Sequence, residues 1–293
     1  MTSNLDILVV AISPPIKFVS NDKGALEHIC ESPIFPSKIP CYSVKKRGQC
    51  KHMLKFVSSK YTKVVYSSKG IFYYGSFGET VSQYDIKNLL LQLLDFELQG
   101  KGYFTPHSSA ASNLDKGVLV VGESGAGKTM LIFELLKRGF NFISNERTII
   151  SDKEIIGGTS TVIIKPKNLY YFKSMRKKTW GGFEYLELDA QKRSASLNLI
   201  VFPNITQAKD LIVDKLDFYS AATRLYNILT ETILGLFMIS KMKDCGQSLD
   251  NMLTKQKRLS TLTSLLNNIP VYYVAGKASN VATELEKLLE EYG

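Results

Sequence analysis

One short glycine-rich segment has the residue types needed to hold a nucleoside triphosphate. Residues 122–129 read GESGAGKT and fit the pattern G-x-x-x-x-G-K-[ST]. In this pattern the glycines let backbone N–H groups converge on a β-phosphate, Lys128 reaches the β- and γ-oxygens, and the Thr129 hydroxyl ligates Mg²⁺. The segment predicts a site for ATP and Mg²⁺ formed by Gly122, Glu123, Ser124, Gly125, Ala126, Gly127, Lys128 and Thr129.

The neighbouring elements are those that such a site requires. GVLVV at 117–121 is typical of a short buried strand, and Thr129–Arg138 has a helical pattern that ends at Gly139. This order points the positive end of the helix dipole at the bound anion. A glycine-rich turn that precedes Lys-Thr by chance is less favoured, because strand and helix are both in register.

The phosphate site alone does not decide the reaction. The N-K-x-D sequence by which GTPases read the base is absent. A mechanical ATPase usually carries an apolar strand that ends in an acid, whereas LNLIVFPN ends in Pro203-Asn204. The acidic function must therefore lie elsewhere in the chain.

The run from Gly117 to Ile150 resembles the HPr kinase/phosphorylase superfamily, which are P-loop kinases with a phosphoenolpyruvate-carboxykinase-like core. The resemblance rests on the phosphate site, on Arg138-Gly139 at the end of its helix, on His107 upstream and on Arg147. It is weaker in LNLIVFPNI and in the closing IPVYYVAGKASNVATELEKLL, which look like compact members found beside peptide-modification genes. It spans roughly Gly102 to the C-terminus.

The resemblance implies an α/β fold with this P-loop core. It also implies a base and a metal-binding acid just before Arg147, where the family has Asp-Asp and this chain has Asn145-Glu146. An amide does not accept a proton at neutral pH. Three interpretations stay open: Glu146 does both jobs, Asn145 only orients the acceptor, or the chemistry is lost and a nucleotide-gated binding subunit remains. The resemblance also implies that His107 lies beside the γ-phosphate.

We therefore predict an ATP-dependent kinase that phosphorylates a hydroxyl, with Ser or Thr of a peptide or protein as the acceptor that the resemblance implies. A small-molecule hydroxyl is a second alternative, beside the binding subunit. The predicted catalytic residues are Glu146, Asn145, His107 and Lys128, and the predicted metal ligands are Thr129 and Glu146.

The positive charge suits an anionic partner. The net charge is +10, which fits an acidic peptide or a nucleic acid, with nucleic acid the less favoured. Residues 165–180, KPKNLYYFKSMRKKTW, interleave basic and aromatic side chains and could face a substrate or form a solvated loop. A homo-oligomer or a complex subunit is possible. Asp152 is either a second metal carboxylate or, more favoured, a solvent-facing strand acid.

The periodicity places a domain boundary near Gly100. Residues 1–100 predict a small β-rich domain, with a hairpin at Lys63–Gly75, a loop over 32–50 and a closing helix within 82–100 that stops at Gly100. Residues 101–293 predict the P-loop domain, with later helices near 220–242, 248–266 and 279–293. No leader or membrane-spanning run is visible, which favours a cytoplasmic location.

Four cysteines are too sparse for a disulfide scaffold. Their spacing with two histidines leaves a metal site as an alternative to free thiols, although no C-x-x-C pair occurs. That alternative would use His28, Cys30, Cys41, Cys50 and His52.

Overall fold

The computed structural model describes residues 5–10, 15–45, 49–164, 177–188, 194–237, 239 and 247–292. These residues form a mixed α/β structure with seven helices and three sheets. In the described part of the chain, no helix is both long and apolar enough to cross a membrane.

The first hundred residues form a six-stranded sheet covered by helices. Its strands are β1 (Leu5–Val10), β2 (Ile16–Ser20), β3 (Ser43–Lys45), β4 (Met53–Ser58), β5 (Lys63–Ser67) and β6 (Gly70–Gly75), in the order β3-β1-β2-β4-β6-β5. The helices are α1 (Lys23–Glu31), α2 (Ile34–Lys38) and α3 (Gln83–Gln99). The antiparallel β5–β6 pair confirms the predicted hairpin.

Two parts of this region differ from the sequence prediction. The segment 32–50 is not all loop, because it contains α2 and β3. Pro33 and Pro36 are compatible with α2 because they occupy its N-cap and first turn, where a backbone N–H has no helical partner. The description "β-rich" also omitted α1, whose Ala25, Leu26 and Ile29 are buried.

Helix α3 forms as its periodicity predicts. The Ser82 side chain accepts from the Asp85 N–H while the Asp85 carboxylate accepts from the Ser82 N–H, which is a capping box, and Gly100 is the C-cap. Its leucines pack against the sheet in one hydrophobic core with Phe18, Phe56 and Tyr73.

The rest of the chain is built on an eight-stranded sheet. The strands of this sheet are β7 (Ser108–Asn113), β8 (Lys116–Val121), β9 (Asn141–Ser144), β10 (Thr148–Ile150), β11 (Glu154–Gly158), β15 (Ala195–Ile205), β16 (Ile212–Lys215) and β17 (Val271–Gly276). Three further strands lie outside it: β12 (Thr161–Ile164), β13 (Lys177–Trp180) and β14 (Phe183–Glu187). The order is β10-β11-β15-β8-β7-β9, with β17 between β15 and β16, while β12, β14 and β13 form a separate sheet. Strands β8, β15 and β17 are parallel, so their carboxyl ends share one edge.

Helices cover this sheet as two pairs. They are α4 (Lys128–Lys137), α5 (Phe218–Thr230), α6 (Met252–Asn268) and α7 (Ala278–Glu291). Helices α4 and α7 pack in one hydrophobic core, and helices α5 and α6 pack in another. The predicted helix over 220–242 is shorter than expected: α5 ends at Thr230, whose hydroxyl donates to the Tyr226 and Asn227 carbonyls, and Gly235 then takes a φ of 70°.

Buried hydrogen bonds cross the predicted boundary at Gly100. Gln92 donates to the Ile233 carbonyl at 3.3 Å, and Gln99 donates to the Leu229 carbonyl at 2.8 Å. The buried Arg258 of α6 donates to the Gln99 side chain at 2.9 Å. The two-domain division stays a prediction, and the structure ties the two parts together across it.

Candidate active site

The glycine-rich segment lies between the carboxyl end of β8 and α4, as its motif requires. Gly127 is the N-cap of α4 with a φ of 92°, and a Cβ placed there would lie 2.3 Å from the Ile205 Cβ. Glycine is therefore needed for both the backbone conformation and the close approach of β15. Lys128 is only 7% exposed, and its ammonium donates to the Gly122 carbonyl at 2.7 Å and the Glu123 carbonyl at 2.9 Å.

Asn145 lies directly against the start of α4. Its Oδ1 accepts from the Thr129 hydroxyl at 3.1 Å and from the Ser109 hydroxyl at 3.0 Å. The side chain is 1% exposed, and its Nδ2 is buried without a hydrogen-bond partner among the described residues. Since buried polar groups in proteins are normally satisfied, this N–H donor is available to an acceptor atom of a ligand.

These two side chains suit Mg²⁺. The ion takes few protein ligands and completes its octahedron with phosphate oxygens and water. Two cis ligands at metal–oxygen distances near 2.0–2.1 Å lie roughly 2.9 Å apart, and the Thr129 and Asn145 oxygens are 3.1 Å apart. A hydroxyl and an amide oxygen thus fit the ion.

Glu146 has an unusual backbone conformation and two cationic or hydrogen-bonding partners. Its φ of 69° is in the left-handed region, which non-glycine residues seldom occupy. The carboxylate accepts from the Lys38 ammonium at 2.8 Å and from His107 Nε2 at 3.1 Å. Strained residues of this kind cluster at functional sites, and the carboxylate of this one contacts Lys38 and His107.

These contacts shift the pKa values of both partners. Burial alone would raise the pKa of Glu146, but the hydrogen bond from His107 and the charge of Lys38 outweigh it, so that the pKa lies far below its usual range. Burial lowers the pKa of His107 below 6.5, helped by the charges of Lys128 and Arg147, although Glu146 opposes this. At neutral pH the imidazole is therefore neutral, with Nε2–H donating to the carboxylate and Nδ1 carrying the lone pair.

More basic side chains surround this pair than the sequence suggested. Lys87 of α3 has a pKa lowered to about 7, chiefly by burial and then by the charges of Lys38 and Arg147. The Arg147 guanidinium donates to the Thr105 carbonyl at 2.8 Å. Sequence reasoning missed Lys38 and Lys87, because both come from the first hundred residues and neither belongs to a motif.

A cleft lies between the glycine-rich segment and residues of β15, α5 and β17. Its volume is ≈ 490 Å³, and residues 122–126 form one wall. The side chains that line it include Phe202, Asn204, Arg224, Asn227 and Tyr273. Glu123, Ser124 and Ala126 thus line this cleft, whereas the Thr129 hydroxyl contacts Asn145.

The remaining candidates lie away from these side chains. Residues 165–176 of the basic and aromatic run are outside the described residues, and Lys178 and Trp180 line a separate ≈ 560 Å³ cavity with Tyr42 and Cys30. Asp152 accepts from Ser264 at 2.8 Å.

The five residues of the alternative metal site are not brought together. His28 Nδ1 faces the Gly24 carbonyl, and His52 pairs with Glu97. Cys30 and Cys41 are exposed at the surface. Across the described ranges, no three His, Cys, Asp or Glu side chains gather as metal ligands.

Comparisons with known proteins find similarity among solved structures. No protein-family model matches the chain, and no curated protein matches it. Among solved structures, the chain is similar to the HPr(Ser) kinase/phosphatase from Coxiella burnetii, with 12% identity and a TM-score of 0.27 over 64% of this chain and 94% of that chain.

Proposed function

We propose that this protein is a P-loop kinase that transfers the γ-phosphoryl group of ATP to a hydroxyl. The observation that carries the proposal is the cluster of Lys128, Thr129, Asn145, Glu146 and His107 at the carboxyl end of β8. It combines a phosphate cradle, a pair of oxygens suited to Mg²⁺, and a neutral imidazole oriented by a carboxylate.

The roles differ from those the resemblance implies for the acidic pair. We assign the second metal oxygen to Asn145 beside Thr129, because Glu146 is occupied by Lys38 and His107. The bound Mg²⁺ would neutralise charge on the phosphates. The Asn145 Nδ2, without a partner among the described residues, donates to a phosphoryl oxygen.

The proton of the acceptor goes to His107. A carboxylate with so low a pKa is a weak base, whereas a neutral imidazole held by a carboxylate is an effective one. The acceptor oxygen forms a bond to the γ-phosphorus, the bond to the β–γ bridging oxygen breaks, and ADP leaves. The hydroxyl proton moves to Nδ1 late in this step, because phosphoryl transfer proceeds through a loose transition state. Lys128 stabilises the charge on the transferred group.

Asn145 also favours a second function. The chain has an amide where the resembling family has its base, and a site that keeps the cradle without transferring phosphate would be a nucleotide-gated binding subunit. In the kinase proposal, we take a peptide or protein Ser or Thr as acceptor from the sequence resemblance, with a small-molecule hydroxyl as the alternative.

The deciding experiment uses purified protein, Mg²⁺ and γ-labelled ATP, with Ser- and Thr-containing peptides, small hydroxyl compounds and a source-cell extract as acceptors. We expect label on an acceptor with the wild type, and a loss of about 10²-fold or more in Lys128→Ala, as for other removed charge-stabilising donors. Lys137→Ala is the matched control, since this exposed lysine lies at the other end of α4.

Two results would separate the candidate functions. Transfer by the wild type supports the kinase. ATP that binds tightly but is never transferred, with label appearing only in Asn145→Asp, would overturn the kinase and establish the binding subunit.

A further inference from the structure

The ≈ 560 Å³ cavity lies between the α1–α2 corner and the small three-stranded sheet. One wall comes from the end of α1, with Glu31, from the start of α2 and from Tyr42. The other wall comes from β12, β13 and β14. The volume falls within the roughly 300–1,000 Å³ of ligand pockets. The cavity is therefore large enough for a small ligand or for one long side chain of a partner.

The sheet wall presents aromatic and charged side chains on one face. Lys178 of β13 pairs with Tyr185 of β14 in an antiparallel register, so these two side chains lie on the same face. Because side chains alternate along a strand, Trp180 shares this face with Lys178, and Glu187 shares it with Tyr185. All four line the cavity. The basic and aromatic run that the sequence singled out thus contributes two residues to a face that also carries a carboxylate.

We propose that this cavity binds an organic cation, a guanidinium or alkylammonium group, between aromatic rings and carboxylates. Such groups are attracted to the faces of Trp and Tyr rings, and the cavity is lined by Tyr42, Trp180 and Tyr185. The proposal goes beyond phosphoryl transfer and does not rest on it, because the residues that line the cavity take no part in the proposed active site.

The charged side chains of the cavity also favour a cation. Glu31 is exposed, and no cation pairs with it among the described residues. Glu187 pairs with Lys178 at 3.6 Å, with 67% and 70% of the two side chains exposed. Such exposed pairs are weak, so a bound cation can replace Lys178 beside Glu187. An anion would instead meet both carboxylates, although the net charge of the chain is +10.

The test compares binding of acetyl-Gly-Arg-Gly-amide with that of its neutral citrulline analogue. Calorimetry measures the affinities, and the fluorescence of Trp180, the single tryptophan, reports on the cavity. We expect the arginine peptide to bind at least about tenfold more tightly and to change the fluorescence. Free methylguanidinium and butylammonium ions distinguish the source of the cation. Affinities equal to that of the peptide support a small cation as the ligand, and much weaker ones support a side chain of a peptide.

Substitutions in the cavity should change these affinities in opposite directions. Glu31→Gln and Trp180→Leu should each weaken the arginine peptide about tenfold, because a carboxylate or a ring is lost. Lys178→Ala should tighten its binding, because the competing ammonium is removed. Glu27→Gln is the matched control, since Glu27 is an exposed carboxylate one turn earlier on α1 that pairs with Lys23. It should leave the affinity unchanged.

Three results would overturn the cation site: no binding of any probe, equal binding of the arginine and citrulline peptides, or unchanged affinity in both Glu31→Gln and Lys178→Ala. None of them bears on the kinase proposal, because label transfer is measured separately with Lys128→Ala. Conversely, a chain that transfers no phosphate can still bind the arginine peptide, which would support the cation site alone.

Discussion

At the scale of single residues, the roles in the proposed site depend on the partners of the Glu146 carboxylate. The sequence offered this carboxylate as both base and metal ligand. In the structure it lies between Lys38 and His107 and is only 22% exposed in its side chain. The partnership makes the carboxylate a weaker base and fixes the tautomer of the imidazole, which is why we assign proton acceptance to His107.

This assignment predicts the pH dependence of the reaction. Only neutral His107 can accept the proton, so kcat/KM should rise with pH through an inflection. This inflection reports the pKa of the His107 imidazole in the free enzyme and should therefore lie below pH 6.5. His107→Gln should lower the rate about 10²-fold or more and abolish the inflection. Glu146→Gln should move the inflection to lower pH, because the carboxylate that raises the His107 pKa is gone.

His28→Gln is the control, since this ring packs against Phe77 and Trp180 away from the site. An inflection that survives in His107→Gln would show that another group titrates.

The lowered pKa of Lys87 predicts how the free energy of unfolding depends on pH. Its pKa falls to about 7 in the folded protein, from 10.5, chiefly through burial. The folded state therefore disfavours the charged form, and the penalty is complete below pH 7 and disappears as the pH rises toward 10.5. Lys87→Met should raise the free energy of unfolding by roughly 1–3 kcal/mol at pH 6, with the gain shrinking above pH 7.

Denaturant unfolding at several pH values measures this difference. Lys60→Met, at an exposed position, should show no such pH-dependent gain. A constant gain from pH 6 to 10 in Lys87→Met would contradict the assigned pKa.

At the scale of elements, local patterns predicted those helices whose ends are marked in the sequence. Helix α3 has a capping box at one end and Gly100 at the other, and the helix predicted within 82–100 with a stop at Gly100 is confirmed. Helix α5 was predicted too long, because an apolar run continues past Thr230 while its hydroxyl bonds back to Tyr226 and Asn227. The spacing of apolar residues carries no information about such a local side-chain hydrogen bond.

The glycines at the two ends of α4 give a matched pair of substitutions. In Gly127→Ala, the new Cβ meets both an unfavourable φ of 92° and the Ile205 side chain at 2.3 Å. In Gly139→Ala, φ is 89° but nothing lies within 4 Å of the new Cβ. We expect Gly139→Ala to cost about 1 kcal/mol of stability and to keep ATP binding.

Gly127→Ala should cost a further 1–3 kcal/mol, roughly, and weaken ATP binding at least tenfold, because β15 and the loop must separate. Thermal unfolding and nucleotide titration of both variants measure this difference. Equal effects in the two variants would show that the approach of Ile205 is unimportant.

At the scale of the whole molecule, a buried polar network joins the first hundred residues to the site. Asp250 pairs with Arg258 at 2.7 Å, Arg258 donates to Gln99, and Gln99 donates to Asp95 at 2.9 Å. Asp95 accepts from the Thr105 hydroxyl, and the Thr105 carbonyl accepts from Arg147. Burial raises the pKa of Asp95 to about 6. The network stabilises the packing of α3 against the P-loop part of the chain.

This connection predicts that the chain unfolds as one unit. The single tryptophan, Trp180, lies edge-on to His28 of α1, with ring centroids 6.0 Å apart, so its fluorescence reports on contact between the two parts. Fluorescence and far-UV circular dichroism should give coincident transitions in denaturant. Two separated transitions would show independent domains divided near Gly100. Gln99→Ala should lower the midpoint of both signals together, because it leaves Arg258 without one partner.

The sequence by itself determined the strand, the glycine-rich segment and the helix that form the predicted phosphate site. All its parts lie within one strand, one loop and one helix, so local spacing was sufficient to specify them. Only the tertiary structure decided what faces this site: Lys38 reaches Glu146 across 108 positions of the chain, and Arg224 meets the glycine-rich segment from a distant helix. Such partners leave no periodic signal, because they are brought together by packing of the sheet and its helices. For the same reason, the sequence placed Asn145 and Glu146 in the site but did not fix their roles. Those roles depend on the neighbours that folding supplies.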